Sequence, residues 1–187
     1  MSMGMALLGT RDYLRTSLTW TLKDIGIQYN NFPPNAAKNW YVAIDDGGVE
    51  GTPAKQYYLK EIYTITVGVW RRPGRVPQDV SGNLMIPDDI YISGIETVND
   101  LERKIIKWLH NNYLLMASIN TQFSLPTATG AGAGEGGDVF GQEPLIYRGR
   151  TKNEFITIPG TNDAQVWFGR RLQFRGLTRT QYVNAMG

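Results

Sequence analysis

Apolar residues near the start of the chain recur at the spacing of one helix face. Steps of four, four and three residues place them on a single stripe, which consists of Leu14, Leu18, Leu22 and Ile25. Thr10 is suited to cap the start of such a helix, and Gly26 is suited to end it. The pattern therefore predicts a first helix over about residues 10–25.

A second, longer helical pattern covers about residues 97–119. Thr97 followed by Asp100 resembles a capping box at its start, with Asp in place of the usual Glu. The predicted buried stripe consists of Val98, Leu101, Ile105, Trp108 or Leu109, Met116 and Ile119. The predicted wet face carries Glu102, Arg103, Lys104 and Lys107.

Alternation of side chains predicts a long strand over residues 57–70. One side shows Tyr63, Ile65, Val67 and Val69, and the other shows Thr64, Thr66, Gly68 and Trp70. Shorter strand signals lie in WYVAI at 40–44, which DDGG ends as a turn, and in EPLIYRG at 143–149 and NEFITIP at 153–159. Prolines and glycines predict a loop over residues 71–89.

The segment AQVWFGRRLQFRG predicts a last strand, joined to the preceding one by a hairpin around Gly160–Asp163. Its apolar face shows Val166, Phe168, Leu172 and Phe174, and its other face shows Trp167, Arg171, Gln173 and Arg175. From Arg148 to Arg179 there are seven Lys or Arg and two Asp or Glu. This basic face has three interpretations, namely an outer strand face where Arg packs on Trp, a subunit interface, or a nucleic-acid surface. Its candidate interface residues are Trp167, Arg171 and Arg175.

The order of helix, strands, helix and strands predicts an α+β fold, a mainly antiparallel sheet with two helices packed on one face. A length of 187 residues suits a single domain, 1–187, with one insertion. The predicted core consists of Leu14, Leu18, Leu22, Tyr63, Ile65, Val67, Leu101, Ile105, Leu109, Val166, Phe168 and Leu172.

The insertion, residues 123–143, contains six glycines and few apolar residues. It is predicted to be a long flexible Gly-rich loop, because it buries too little surface to offset its ordering entropy. A phosphate-binding loop needs Lys and Ser or Thr after the glycines, whereas this run continues as EGGDVF. We therefore predict a loop that contacts a partner, with candidate residues Gly130, Gly132, Gly134, Glu135 and Asp138.

Other chemistry is sparse in the sequence. There is no cysteine, His110 is the single histidine, and the Asp pairs at 45–46 and 88–89 adjoin Gly or Pro as turn formers do. No enzyme activity and no cofactor are predicted. The formal net charge of +2 does not favour bulk affinity for nucleic acid or membranes, and no run approaches the roughly 18 apolar residues of a membrane helix.

The predicted layout resembles that of the tail terminator proteins of tailed bacteriophages. It has an N-terminal helix, a short strand and turn, the long strand KEIYTITVGVW, a Pro-rich break, the helix LERKIIKWL and terminal strands. Members of that family likewise open with a helix, continue with an antiparallel hairpin, pack a second helix on the sheet and finish with strands. The resemblance covers most of the chain, with residues 123–143 as an insertion and those after Gly176 unmatched.

The resemblance implies a structural virion protein of the phage neck, made in the host cytoplasm. Such proteins form a homo-oligomeric ring, usually of six copies, that caps the tail tube and docks to the head-side connector or stopper protein. Double-stranded DNA passes through the ring without sequence specificity. Two alternatives stay open: another phage connector, stopper or minor capsid protein, and a nucleotide-binding or hydrolytic enzyme that uses the Gly-rich run.

Overall fold

The chain folds as helices on one side of a mainly antiparallel sheet, which confirms the predicted α+β class. The computed structural model describes residues 3–19, 25–29, 40–55, 58–72, 81, 83, 85, 88–122, 139–140, 144–158 and 165–181. The helices are α1 (Met3–Thr19), α2 (Asp88–Leu109) and α3 (Tyr113–Gln122). The strands are β1 (Ile25–Tyr29), β2 (Trp40–Lys55), β3 (Tyr58–Arg71), β4 (Val139–Phe140), β5 (Ile146–Arg150), β6 (Glu154–Ile158) and β7 (Gln165–Gln181).

The last strand, β7, organises the sheet. One side of β7 pairs with β3 along its length, from Phe168 opposite Arg71 to Gln181 opposite Tyr58. Its other side pairs in turn with β6, β5 and β4. All of these pairs are antiparallel, as is β2 with β3, whereas β1 pairs parallel with β2. The predicted strands at 143–149, 153–159 and 164–176 are thus confirmed as β5, β6 and the first part of β7.

The main core lies between the three helices and one face of this sheet. Of the predicted core residues, ten are at most 3 % exposed: Leu14, Leu18, Tyr63, Ile65, Val67, Leu101, Ile105, Leu109, Phe168 and Leu172. Leu22, the side chain of Val166 and the hairpin loop Gly160–Asp163 lie outside what the structure describes. Period-two alternation therefore predicted correctly which face of β3 and β7 meets the helices.

The first helix starts earlier than predicted, at Met3 rather than near residue 10. Its apolar stripe continues toward the N-terminus through Ala6 and Leu7, and Thr10 is a buried residue inside the helix rather than its cap. This N-terminal part of α1 packs closely on α3, because a Cβ built on Gly9 would lie 2.5 Å from Cγ1 of Ile119. Gly26, the predicted helix end, lies in β1.

The segment predicted as one second helix forms two helices, α2 and α3. Helix α2 begins at Asp88, so Thr97 lies in the interior of α2, where the Thr97 hydroxyl donates a hydrogen bond to the Ser93 carbonyl. It breaks after Leu109, where Asn111 has a φ of 51°, a value that asparagine tolerates better than most residues. Asn112 then caps α3, since its Oδ1 accepts from the backbone N–H of Leu114 at 3.0 Å. Three helices therefore cover the sheet instead of two.

The predicted turn at DDGG is a bulge within β2. Oδ1 of Asp46 accepts a hydrogen bond from the N–H of Gly48 at 2.7 Å, and Gly48 has a φ of 99°. The pairing with β3 shifts between Asp46 and Val49 and then continues to Lys55. The local turn chemistry was correctly recognised, but the strand absorbs it as a bulge and does not end there.

The buried phenol of Tyr63 should make the folded protein less stable at alkaline pH. Its ring is 3 % exposed and lies against Gly176, and burial raises the pKa of its phenol well above the usual value. Above about pH 10 the unfolded chain loses this proton while the folded chain keeps it, so stability falls as pH rises from there. We expect Tyr63→Phe to flatten this fall in urea unfolding between neutral pH and pH 11. The same change at exposed Tyr113 should leave the slope as it is, and an equal slope in both variants would contradict the assignment.

Candidate interface on the open face of the sheet

The described helices all pack on one face of the sheet, and the opposite face carries small and polar residues at its centre. On this open face, Thr64 and Thr66 of β3 lie beside Gly47 of β2, where a Cβ would approach both threonine side chains to within 3.0 Å. Gln173 of β7 is exposed next to them. The open face is therefore flat and polar over this central part.

One end of the open face carries a second, separate apolar cluster of Tyr41, Trp70 and Trp167. Trp167 is fully buried and its ring meets that of Tyr41 edge-on, with centroids 5.3 Å apart. The predicted position of Trp167 on the face opposite Phe168 is right, but its expected place among surface residues is wrong. Large aromatic rings on adjacent strands bury one another, so this indole stabilises the sheet and offers no surface to a partner.

Arg171 and Arg175 do reach the surface from this face. Their side chains are 50% and 43% exposed, and each has a carboxylate nearby. Arg171 lies 3.8 Å from Glu154 and over the ring of Trp70, and Arg175 lies 3.9 Å from Glu50. Such solvent-exposed pairs contribute little to stability, but they offset much of the positive charge that the two arginines present.

A buried ionic cluster lies on the other side of the sheet, where sequence patterns had not placed one. Glu102 of α2, predicted on the wet face, is 5% exposed, and Arg170 of β7 is 3% exposed. The Glu102 carboxylate accepts two hydrogen bonds from Nη1 of Arg150 at 2.9 Å and lies 3.2 Å from Nη1 of Arg170. Arg170 also donates to Asn99. The cluster joins α2 to β5 and β7.

Burial changes the proton affinities in this cluster. The pKa of Arg170 is lowered chiefly by loss of hydration, an effect that the nearby Glu102 carboxylate opposes. The pKa of Tyr147 is raised, first by burial and then by the negative charge of Glu102.

The sequence did contain a signal for the burial of Arg170. Its position is two residues from both Phe168 and Leu172, so in a strand it lies on the same apolar face as they do.

His110 and the Asp pairs, for which no chemistry was predicted, have local structural roles where the structure describes them. His110 is exposed in the turn after α2, and its Nδ1 accepts from the N–H of Tyr147 at 3.1 Å. Asp45 accepts from its neighbour's N–H, as turn-forming aspartates do. Asp88 and Asp89 lie in the first turn of α2, where negative charge interacts favourably with the positive end of the helix dipole. Within the described ranges, no group of three or more His, Asp or Glu could hold a metal ion.

The Gly-rich insertion is described only in part. Gly130, Gly132, Gly134, Glu135 and Asp138 lie outside the described residues. Val139 and Phe140 do not belong to a loop as predicted but form β4, which pairs with β7 at Arg179 and Thr178. None of the helices described is long and apolar enough to cross a membrane.

The hairpin of β2 and β3 extends beyond the main core. Ile44 of β2 is buried, and every residue from Asp45 to Glu50 is exposed, so that stretch of β2 has both faces in solvent. The strand then continues to Lys55, which gives an arm of roughly 35 Å from Asp45 at the usual rise per residue. We call residues 45–55 and 58–62 the hairpin arm.

Neither the scan of protein-family models nor the search of curated proteins found a match to the chain.

Proposed function

We propose that the chain is a structural joining protein of a tailed bacteriophage, which forms a homo-oligomeric ring at the end of the tail tube. In this proposal the ring caps the tube and docks to the head-side connector or stopper, and DNA passes through its centre. The resemblance in element order supports it, since the helix, the antiparallel hairpin, the helices on the sheet and the terminal strands all occur in that order.

The hairpin arm is the observation that carries this proposal. In this arm β2 is exposed from Asp45 to Glu50 and has β3 as its one partner among the described strands, whereas β3 also pairs with β7. Val49 is 49% exposed on this edge strand. An exposed edge strand that continues past the buried part of the sheet is suited to pair with a neighbouring protein.

The proposal is tested by imaging the purified full-length chain. We expect negative-stain electron microscopy to show closed rings with a central hole wide enough for duplex DNA, and sedimentation to give one mass that is a multiple of the subunit. Rings that bind isolated tail tubes would support the terminator role. Rings that bind only the head-side connector would favour a connector or stopper instead, and a chain that stays monomeric with tubes present would contradict the proposal.

DNA should pass over the open face without being held. The carboxylates of Glu50 and Glu154 lie within 4 Å of Arg175 and Arg171, so the wild-type ring should retain little DNA on filters at physiological salt. Replacing both glutamates with Gln frees two arginines. We expect this double variant to retain more DNA than the wild type. The logarithm of its binding constant should fall with the logarithm of the salt concentration more steeply than in the wild type, by about two units of slope.

A variant of matched charge controls this experiment. Asp12→Asn with Asp100→Asn removes two solvent-accessible carboxylates from α1 and α2, on the other side of the sheet, and should leave retention unchanged. An equal gain in both variants would show that net charge, not the open face, determines binding. Tight, sequence-selective binding by the wild-type protein would contradict passage of DNA as proposed.

A further inference from the structure

The segment of α2 and α3 separates its charges by sign. Between Asp88 and Glu102 there are five acidic residues and no Lys or Arg, and between Arg103 and Gln122 there are three basic residues and no Asp or Glu. Most of these charges are exposed, and the exposed ones run along the side of the helix that faces away from the core. One end of this helical layer is therefore negative and the other positive.

Each end also exposes large apolar side chains. At the acidic end, Ile92 is 56% exposed and Tyr91 is 40% exposed, and Tyr91 stacks on Phe155 of β6, which is itself 37% exposed. At the basic end, Tyr113 and Leu114 are 63% and 73% exposed. Apolar patches of this kind, rimmed by charge, are typical of protein interaction sites.

The two patches lie at opposite ends of α2, about 30 Å apart along the helix. The Tyr91 patch adjoins β6, which pairs with the first part of β7. The Leu114 patch lies at the start of α3, directly after the turn in which the N–H of Asn111 donates to the Leu145 carbonyl next to β5. We call these the acidic flank (Tyr91, Ile92 and Phe155) and the basic flank (Tyr113 and Leu114).

We infer that the acidic flank of one copy docks on the basic flank of the next copy. The apolar patches meet in the centre, and the carboxylates of Asp89 and Glu96 face Arg103 and Lys107 across the rim. Because the two flanks are different surfaces at opposite ends of α2, the contact is head-to-tail, and repeating it generates a ring when the rotation closes. This inference rests on the proposed ring and specifies which surfaces build it.

Two exposed positions allow each flank to be inactivated separately. Ile92→Arg places positive charge in the acidic flank, and Leu114→Asp places negative charge in the basic flank, so each change repels the partner surface. We expect the wild-type chain to sediment as a species larger than a dimer and each variant alone to sediment as a monomer. A mixture of the two variants retains one intact pair of flanks and should form a one-to-one dimer and nothing larger.

The control and the alternative outcomes separate this inference from the proposed function. Gln173→Asp and Gln173→Arg change an exposed residue of the open face and should assemble as the wild type does. If the two flank variants also assemble like the wild type, the docking surfaces are wrong and the ring stands. A wild-type species that stops at a dimer would overturn the head-to-tail contact, and a wild-type chain that remains monomeric overturns both proposals.

Discussion

The Glu102→Gln variant should lose about 3–5 kcal/mol of unfolding free energy, one of the two largest effects we expect in this protein. Glutamine keeps the volume of the side chain but removes the charge that neutralises Arg170, whose side chain is 4% exposed. The guanidinium would then stay charged in a site from which water is excluded. Thermal or urea unfolding checks this, and the midpoint should fall by roughly 2–4 °C for each kcal/mol in a chain of this length.

Asp100→Asn is the matched control for this variant. It removes the same charge from the same helix, but Asp100 is 61% exposed and pairs with Lys104 four residues later, so its loss should cost only about 0.3–0.5 kcal/mol. The double variant Glu102→Leu with Arg170→Met should recover much of the lost stability, because apolar residues replace both charges. Equal costs for Glu102→Gln and Asp100→Asn would show that the buried pair does not form.

This cluster also shows where sequence patterns stop being informative. Alternation identified the inner face of β7 through Phe168 and Leu172, yet Arg170 between them was not assigned to that face because charge normally indicates solvent. Likewise, Glu102 was placed with the wet residues of its helix. Each burial depends on the other, and no local pattern reports that a carboxylate and a guanidinium more than sixty residues apart will meet.

The start of α2 was missed for a related reason. Two aspartates just before the apolar run are a helix-start signal, but the prolines and glycines of residues 71–89 favoured a loop. In the fold, Gly94 is buried against Phe168, and that packing maintains a helix through a residue of poor helix propensity. Strand faces were predictable because one period fixes them, whereas helix ends and bulges depended on contacts between distant segments.

Gly169→Ala should destabilise the protein by about 3 kcal/mol or more, because the added methyl group has no space between β7 and the neighbouring strand β3. A Cβ at Gly169 would overlap the carbonyl oxygen of Val69 and lie 2.7 Å from the ring of Trp70. The carbonyl belongs to the backbone of β3, so relief requires β3 and β7 to separate. That movement would also open the cluster of Trp70 and Trp167, so tryptophan emission should shift to the red as the midpoint falls.

The same substitution at Gly94 should act in the opposite direction. There a Cβ would lie 3.3 Å from the edge of the Phe168 ring, a side chain that can move slightly, and alanine is a better helix former than glycine by up to about 1 kcal/mol. We therefore expect Gly94→Ala to leave the unfolding midpoint unchanged or to raise it, with no change in tryptophan emission. Both glycines are buried, so the contrast depends only on what each added methyl group meets. If Gly169→Ala proved as stable as Gly94→Ala, the close approach of β7 to β3 at Trp70 would be wrong, and with it the packing of the aromatic cluster on the open face.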